Sequence, residues 1–280
     1  MKKILFPTDF SETAANAFIY ALHLAEQIKA EIITLHVYQM PSGSYLQYYD
    51  YMTGAWEVLD LEIFENYKNE IPQLRKIAEE NNLAHIPVSH TLDNNDVISA
   101  ITTIVNRDKI DYVVMGTKGA TDIQEIFVGS FAEKVIRRAT VPVLVIPKSS
   151  IYRPIKKIMF TTKFHDSDIS VLEELVNLAE GFNADIACVY IKRNDEDITK
   201  NKGYQVFKNH FSKNPIRMDV RDRLDLDVEE TLLDVAKLTD TDLLVMSPDK
   251  KGFFEKLFHL SLTKRMTFHA DLPLLIMPKK

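Results

Sequence analysis

The sequence predicts an α/β fold built as two tandem copies of a doubly wound, mostly parallel five-stranded sheet flanked by helices. Short apolar runs alternate with longer amphipathic stretches, the pattern of βαβ units with right-handed crossovers. The chain also repeats itself. Residues 2–38 slide onto 156–192 without a gap, placing Lys2-Lys3-Ile4 over Lys156-Lys157-Ile158, Phe6 over Phe160, Thr8 over Thr162 and Leu24-Ala25-Glu26 over Leu178-Ala179-Glu180. Later segments align at a second constant displacement, Asp111–Met115 over Asp242–Met246 and Val141–Pro147 over Leu272–Pro278. A length of 280 residues is enough for two domains that each own a core. The boundaries read as 1–148 and 155–280, with Ser149, Ser150 and Pro154 interrupting the pattern between them.

The elements of the first copy follow in order. Ile4-Leu-Phe opens as a strand, and Ser11 is placed to cap a helix over Glu12–Lys29. Glu31–Tyr38 reads as a strand, 56–81 as a helix, 86–90 as a strand and 97–106 as a helix. Tyr112–Met115 and Val143–Ile146 close the set, with a helix over 130–138 between them. The tyrosine-rich stretch 39–55, containing Pro41, Gly43 and Gly54, is a long loop without a counterpart in the second copy. Loops of that length are often functional; a lid over a site and a cover for the sheet are both open. Pro142 and Pro273 stand at the starts of the final strands, where proline is tolerated at a sheet edge.

Composition narrows the function classes. Lys and Arg number 34 against 40 for Asp and Glu, a formal net charge of −6, which argues against a nucleic-acid grip made of a general basic field. The apolar run after Lys2-Lys3 is broken by Pro7 and Asp9, too short for a signal peptide. No segment approaches the roughly 20 apolar residues of a membrane span. The expectation is a soluble cytoplasmic protein that binds neither membrane nor nucleic acid. The single cysteine, Cys188, cannot form an intrachain disulfide and reads as an inert core thiol. His23, His36, His259 and His269 lack metal-ligand spacing, so no metal site is expected. No nucleophile elbow and no spaced carboxylate pair stand out.

Glycine is the informative residue. Only eight occur, below the roughly 7% of average usage, yet Gly116, Gly119 and Gly129 share one short stretch. The order is strand, Gly116-Thr-Lys-Gly119, nine residues, Gly129-Ser130, helix. Gly116 and Gly119 would let the backbone turn tightly and approach a ligand, while the helix opening at Gly129-Ser130 would present N–H groups to an anion. Lys118 adds a positive charge there or is simply a solvated loop lysine. The spacing is neither a Walker A loop nor a strict G-x-G-x-x-G fingerprint.

Through Ile4–Asp9, Leu35-His-Val37, Gly116–Gly119 with Gly129-Ser130, and Pro142–Pro147, the sequence resembles a tandem universal stress protein over nearly its whole length. The resemblance implies an adenine-nucleotide alpha hydrolase-like, Rossmann-like fold that binds ATP, or AMP or ADP, with or without Mg²⁺. It would set Pro7, Thr8 and Asp9 beside the nucleoside and Val37 against adenine through its backbone. Met115, Gly116, Lys118 and Gly119 would lie by the ribose and phosphates, and Gly129, Ser130 and Phe131 at the phosphate tail. It also implies a stress-response regulator with an unidentified protein partner, and dimerisation through the last strand. Here the two copies would pair within one chain as a pseudo-dimer, with a homodimer left open. The second copy replaces Asp9 by Lys163, Gly116 by Ser247, Gly119 by Lys250 and Gly129 by Leu260, keeping only Ser130 as Ser261. It is therefore expected not to hold ATP in the same way. No general base is identifiable near the phosphates, which favours binding over slow ATP hydrolysis; a nucleotide-independent scaffold is the remaining alternative.

Overall fold

The computed structural model describes residues 1–38, 55–117, 130–192, 196–214, 216–222, 228–247 and 272–279, without the side chains of 55–64, 66, 130, 229 and 230. The first half runs β1 (Lys2–Pro7), α1 (Glu12–Ile28), β2 (Ala30–Val37), α2 (Ala55–Glu80), β3 (Val88–Asp93), α3 (Val97–Arg107), β4 (Tyr112–Gly116), α4 (Ser130–Arg138) and β5 (Val143–Ile146). The second runs β6 (Lys157–Thr161), α5 (Asp166–Phe182), β7 (Asp185–Lys192), α6 (Lys202–His210), β8 (Ile216–Asp222), α7 (Val228–Leu238), β9 (Leu243–Met246) and β10 (Leu274–Ile276).

These strands form one sheet in the order β3-β2-β1-β4-β5-β10-β9-β6-β7-β8. Each half is parallel and repeats the other's order. The halves meet where β5 and β10 pair antiparallel, Leu275 opposite Leu144. The outer strands of the two five-stranded sheets thus satisfy each other's backbone, the intrachain pairing expected from the closing strands. Alternate residues of β1 feed opposite faces, as strand pleating requires. Ile4 and Phe6 join a core with α1 and α5, whereas Leu5 joins Val113 and Val145 in a core with α3, α4 and α7. Cys188 is fully buried, and burial pushes its thiol well above the usual range.

The repeat extends to single backbone angles. Phe10 and Phe164, which precede α1 and α5, have φ of 59° and 57°; Lys29 and Asn183, which end those helices, have 54° and 51°. The Asp111 carboxylate accepts the Lys3 N–H at 2.8 Å, and Asp242 accepts the Lys157 N–H at the same distance. Some boundaries shift. α1 stops at Ile28 because Lys29 turns left-handed, its N–H closing back onto Ala25 and Glu26. β3 spans Val88–Asp93 and not 86–90. Ile86 donates to the Leu83 carbonyl at 3.1 Å in a turn, and pairing with β2 begins where the Pro87 carbonyl accepts the Ile32 N–H at 2.9 Å.

The segment joining the halves is fastened on both sides. Asn16 Nδ2 donates to the Ser150 carbonyl at 2.7 Å, Tyr20 meets Ser150 Oγ at 2.7 Å, and His23 stacks on Tyr152 at 3.8 Å. Toward the second half, Arg153 Nε lies 2.7 Å from Asp242 Oδ1.

Candidate functional site

The order within the first half reverses between β1 and β4, which pair directly, Ile4 opposite Tyr112. In open α/β sheets the crevice outside the carboxyl ends of such a strand pair is the usual ligand position. The sequence-predicted residues arrive there from three strands. Pro7 ends β1 and is buried, Thr8 follows it at 7% exposure, and Asp9 is exposed. Val37 ends β2 and is half-buried; Met115 and Gly116 end β4.

The β1 corner is held by short-range bonds. Thr8 donates its N–H to the Leu35 carbonyl at 2.9 Å, and its own carbonyl meets His36 Nδ1 at 2.9 Å. Thr8 Oγ1 accepts the Phe10 N–H at 3.0 Å, and Asp9 Oδ1 accepts the Ser11 N–H at 3.0 Å. Ser11 Oγ then caps α1 through the Ala14 N–H at 3.2 Å, as its residue type predicts. The corner therefore carries an exposed carboxylate bonded to the start of α1.

Gly116 has a reason beyond ligand approach. A Cβ at this position would lie 2.8 Å from Thr13 Cγ2 and 3.3 Å from the Thr13 carbonyl, so its bareness lets β4 pack against the first turn of α1. In the second half the equivalent Ser247 has a buried Oγ with no hydrogen-bond partner. Thr117, next after Gly116, is buried and donates its N–H to the Ile146 carbonyl at 2.9 Å, which fixes how the chain leaves β4. Ser130 opens α4, whose first turn also contains Glu133. Phe131 is half-buried against the α3/α4 core. Lys118, Gly119 and Gly129, with Lys250, Leu260 and Ser261 of the second copy, lie outside the described residues.

One wall of the corner was not anticipated from the sequence. Phe10, His36 and Tyr67 form an aromatic cluster with ring centroids 5.2 to 5.8 Å apart. Tyr67 reaches it from α2 and is 6% exposed, and burial pushes its phenol above the ordinary range. The signal for Phe10 was present, since it follows Asp9 directly and recurs as Phe164. Tyr67 carried none, because a tyrosine on an amphipathic helix reads as core. His36 and His23 are both packing residues here, one bonded to Thr8 and one stacked on Tyr152. Among the described residues no group of three or more His, Cys, Asp or Glu side chains is placed to hold a metal ion, and no helix is long and apolar enough to cross a membrane.

Known proteins match this chain in sequence and in fold. The family model described as the universal stress protein family matches residues 1–147. Universal stress protein MJ0531 of Methanocaldococcus jannaschii is 30% identical over 148 residues, covering 52% of this chain and 82% of that protein. Universal stress protein MJ0577 of the same organism is 31% identical over 156 residues, 53% of this chain and 96% of that one. Among solved structures, a universal stress protein from Archaeoglobus fulgidus superposes with a TM-score of 0.70 at 16% identity, covering 99% of this chain and 96% of the other. That likeness spans both halves and concerns the fold.

Proposed function

The chain belongs to the universal stress protein family, and from that premise we propose that it is a stress-response regulator whose first half, residues 1–148, binds one adenine nucleotide, ATP or its AMP and ADP relatives. The second half, residues 155–280, acts as a partner that holds none. The observation that carries this reading is the convergence of Asp9, Val37 and Met115-Gly116 on the crevice between β1 and β4, followed in sequence by Gly119 and Gly129-Ser130.

The residues divide the work. Thr8 and Asp9 follow β1 on a corner fixed by His36 and Ser11, so a nucleoside meets preset polar groups and little ordering is required on binding. The Val37 backbone at the end of β2 offers adenine a hydrogen-bonding edge. The N-terminus of α4, opening at Ser130, supplies N–H groups and the positive end of a helix dipole to phosphate oxygens. The second half lacks the pattern: Lys163 stands for Asp9, and side chains replace all three glycines. A protein partner that reads the bound state, and a cytoplasmic location, complete the proposal.

Titration calorimetry with ATP tests it on the wild type and on Asp9→Lys/Gly129→Leu, which carries the second half's residues into the first. The wild type binds one ATP per chain, and the variant loses at least tenfold in affinity, about 1.4 kcal/mol or more. Equal binding by the two proteins would overturn the assignment.

A further inference from the structure

The two halves fill the same corner differently. At the end of β1, position 14 is alanine, and the Asp9 carboxylate turns outward to accept the Ser11 N–H. At the end of β6 the residue equivalent to Ala14 is Asp168, only 3% exposed. Its Oδ2 accepts from Thr162 Oγ1 at 2.9 Å, the Lys163 N–H at 3.1 Å and the His165 N–H at 3.3 Å. Lys279 Nζ lies 3.1 Å from its other oxygen. Three of these donors are repeated in the first half as the Thr8 hydroxyl and the Asp9 and Ser11 N–H groups.

We propose that the Asp168 carboxylate is a built-in occupant of this corner: a tethered anion seated where β6 meets α5, neutralised by Lys279, which keeps the second half filled by its own chain. Two features support it. A buried carboxylate is tolerated only when paired and fully hydrogen-bonded, and here hydroxyl, backbone and ammonium donors all converge on one carboxyl group. The first half has the same backbone corner with alanine at position 14, so no side chain from α1 reaches in, and its Ser11 N–H is taken instead by Asp9 Oδ1 at 3.0 Å. The second half is thus autoinhibited toward small anions, independently of whether the first half binds a nucleotide.

Removing the carboxylate should leave a pocket whose donors recruit a free one. In the full-length chain Asp168→Ala is expected to lower Tm by roughly 5–10 °C. Sodium formate should then restore at least a third of that loss, while sodium chloride at equal ionic strength should not, and the wild type should respond to neither. Adding Lys279→Met should weaken the rescue. Asp168→Asn, which fills the pocket without the charge, should lose Tm and ignore formate. An Asp168→Ala protein with wild-type Tm, a loss that formate leaves in place, or an equal formate response in Asp168→Asn would each overturn the proposal. If Asp168→Ala is unfolded without additive, recovery of its circular dichroism in formate and not in chloride supports the proposal, and failure to recover counts against it. No nucleotide enters the test, so its outcome is separate from that of the ATP titration.

Discussion

Replacing Gly116 by serine copies the second half's residue into the first and places a Cβ 2.8 Å from Thr13 Cγ2. Carbon pairs sit comfortably near 3.5–4.0 Å, so either β4 or the first turn of α1 must move. Thr13 is 6% exposed and branched at Cβ, so its methyl has little room to rotate away. Overpacking of this kind costs about 1–3 kcal/mol. In the second half the positions of Gly116 and Thr13 are held by Ser247 and Ser167, and serine lacks the offending methyl. Thr13→Ser alone should therefore cost about 0.5–1.5 kcal/mol, the value of one buried methyl. The double variant should cost little more than Thr13→Ser, because the clash is gone and only the 3.3 Å approach to the Thr13 carbonyl remains. Urea denaturation at constant m-value measures all four proteins. A coupling of about 1–2 kcal/mol is expected, and single-variant losses that add within about 0.5 kcal/mol would refute the packing explanation.

Three further outcomes follow from the same contacts. Partial burial holds His23 below the ordinary value of 6.5, so at this site the unfolded chain binds more protons than the folded one. Stability should accordingly be level above about pH 6.5 and decline as pH falls beneath it, and His23→Gln should shallow that decline; a slope unchanged in His23→Gln would count against the His23–Tyr152 stack. Asp242 is 8% exposed, accepts N–H bonds from both Lys156 and Lys157, and pairs with Arg153. Asp242→Ala should thus destabilise by roughly 3–5 kcal/mol and Asp111→Ala by less, with equal losses in chemical denaturation contradicting the linker's role. Cys188 should resist a thiol reagent until the chain unfolds, its buried thiol being held in the protonated form; fast labelling of the native protein would show that the β7 core is open.

Much of the fold was legible because the chain is its own comparison. Two constant displacements in the alignment located the strand ends, and the same displacements recover the paired left-handed residues Phe10 and Phe164. What stayed hidden depends on neighbours distant in sequence. The reason for Gly116 lies in Thr13, about a hundred residues earlier, and a glycine at a strand end looks alike whether a ligand or a helix comes close. Tyr67 joins the corner only through the docking of α2. Asp168 lies in the first turn of α5, where an acidic residue is unremarkable in sequence because the dipole favours negative charge; its approach to Lys279 exists only once β10 lies beside β9. The third strand was misplaced because Ile86 is apolar and buried, as a strand residue would be, yet serves a turn.

One adenine nucleotide per chain, held by the first half, is the proposed stoichiometry. Native mass spectrometry of the intact chain in excess ATP counts it directly, for the wild type and for Gly129→Leu. A single bound nucleotide is expected on the wild type and none on the variant; two nucleotides per chain, or one retained by Gly129→Leu, would rule out binding by the first half alone.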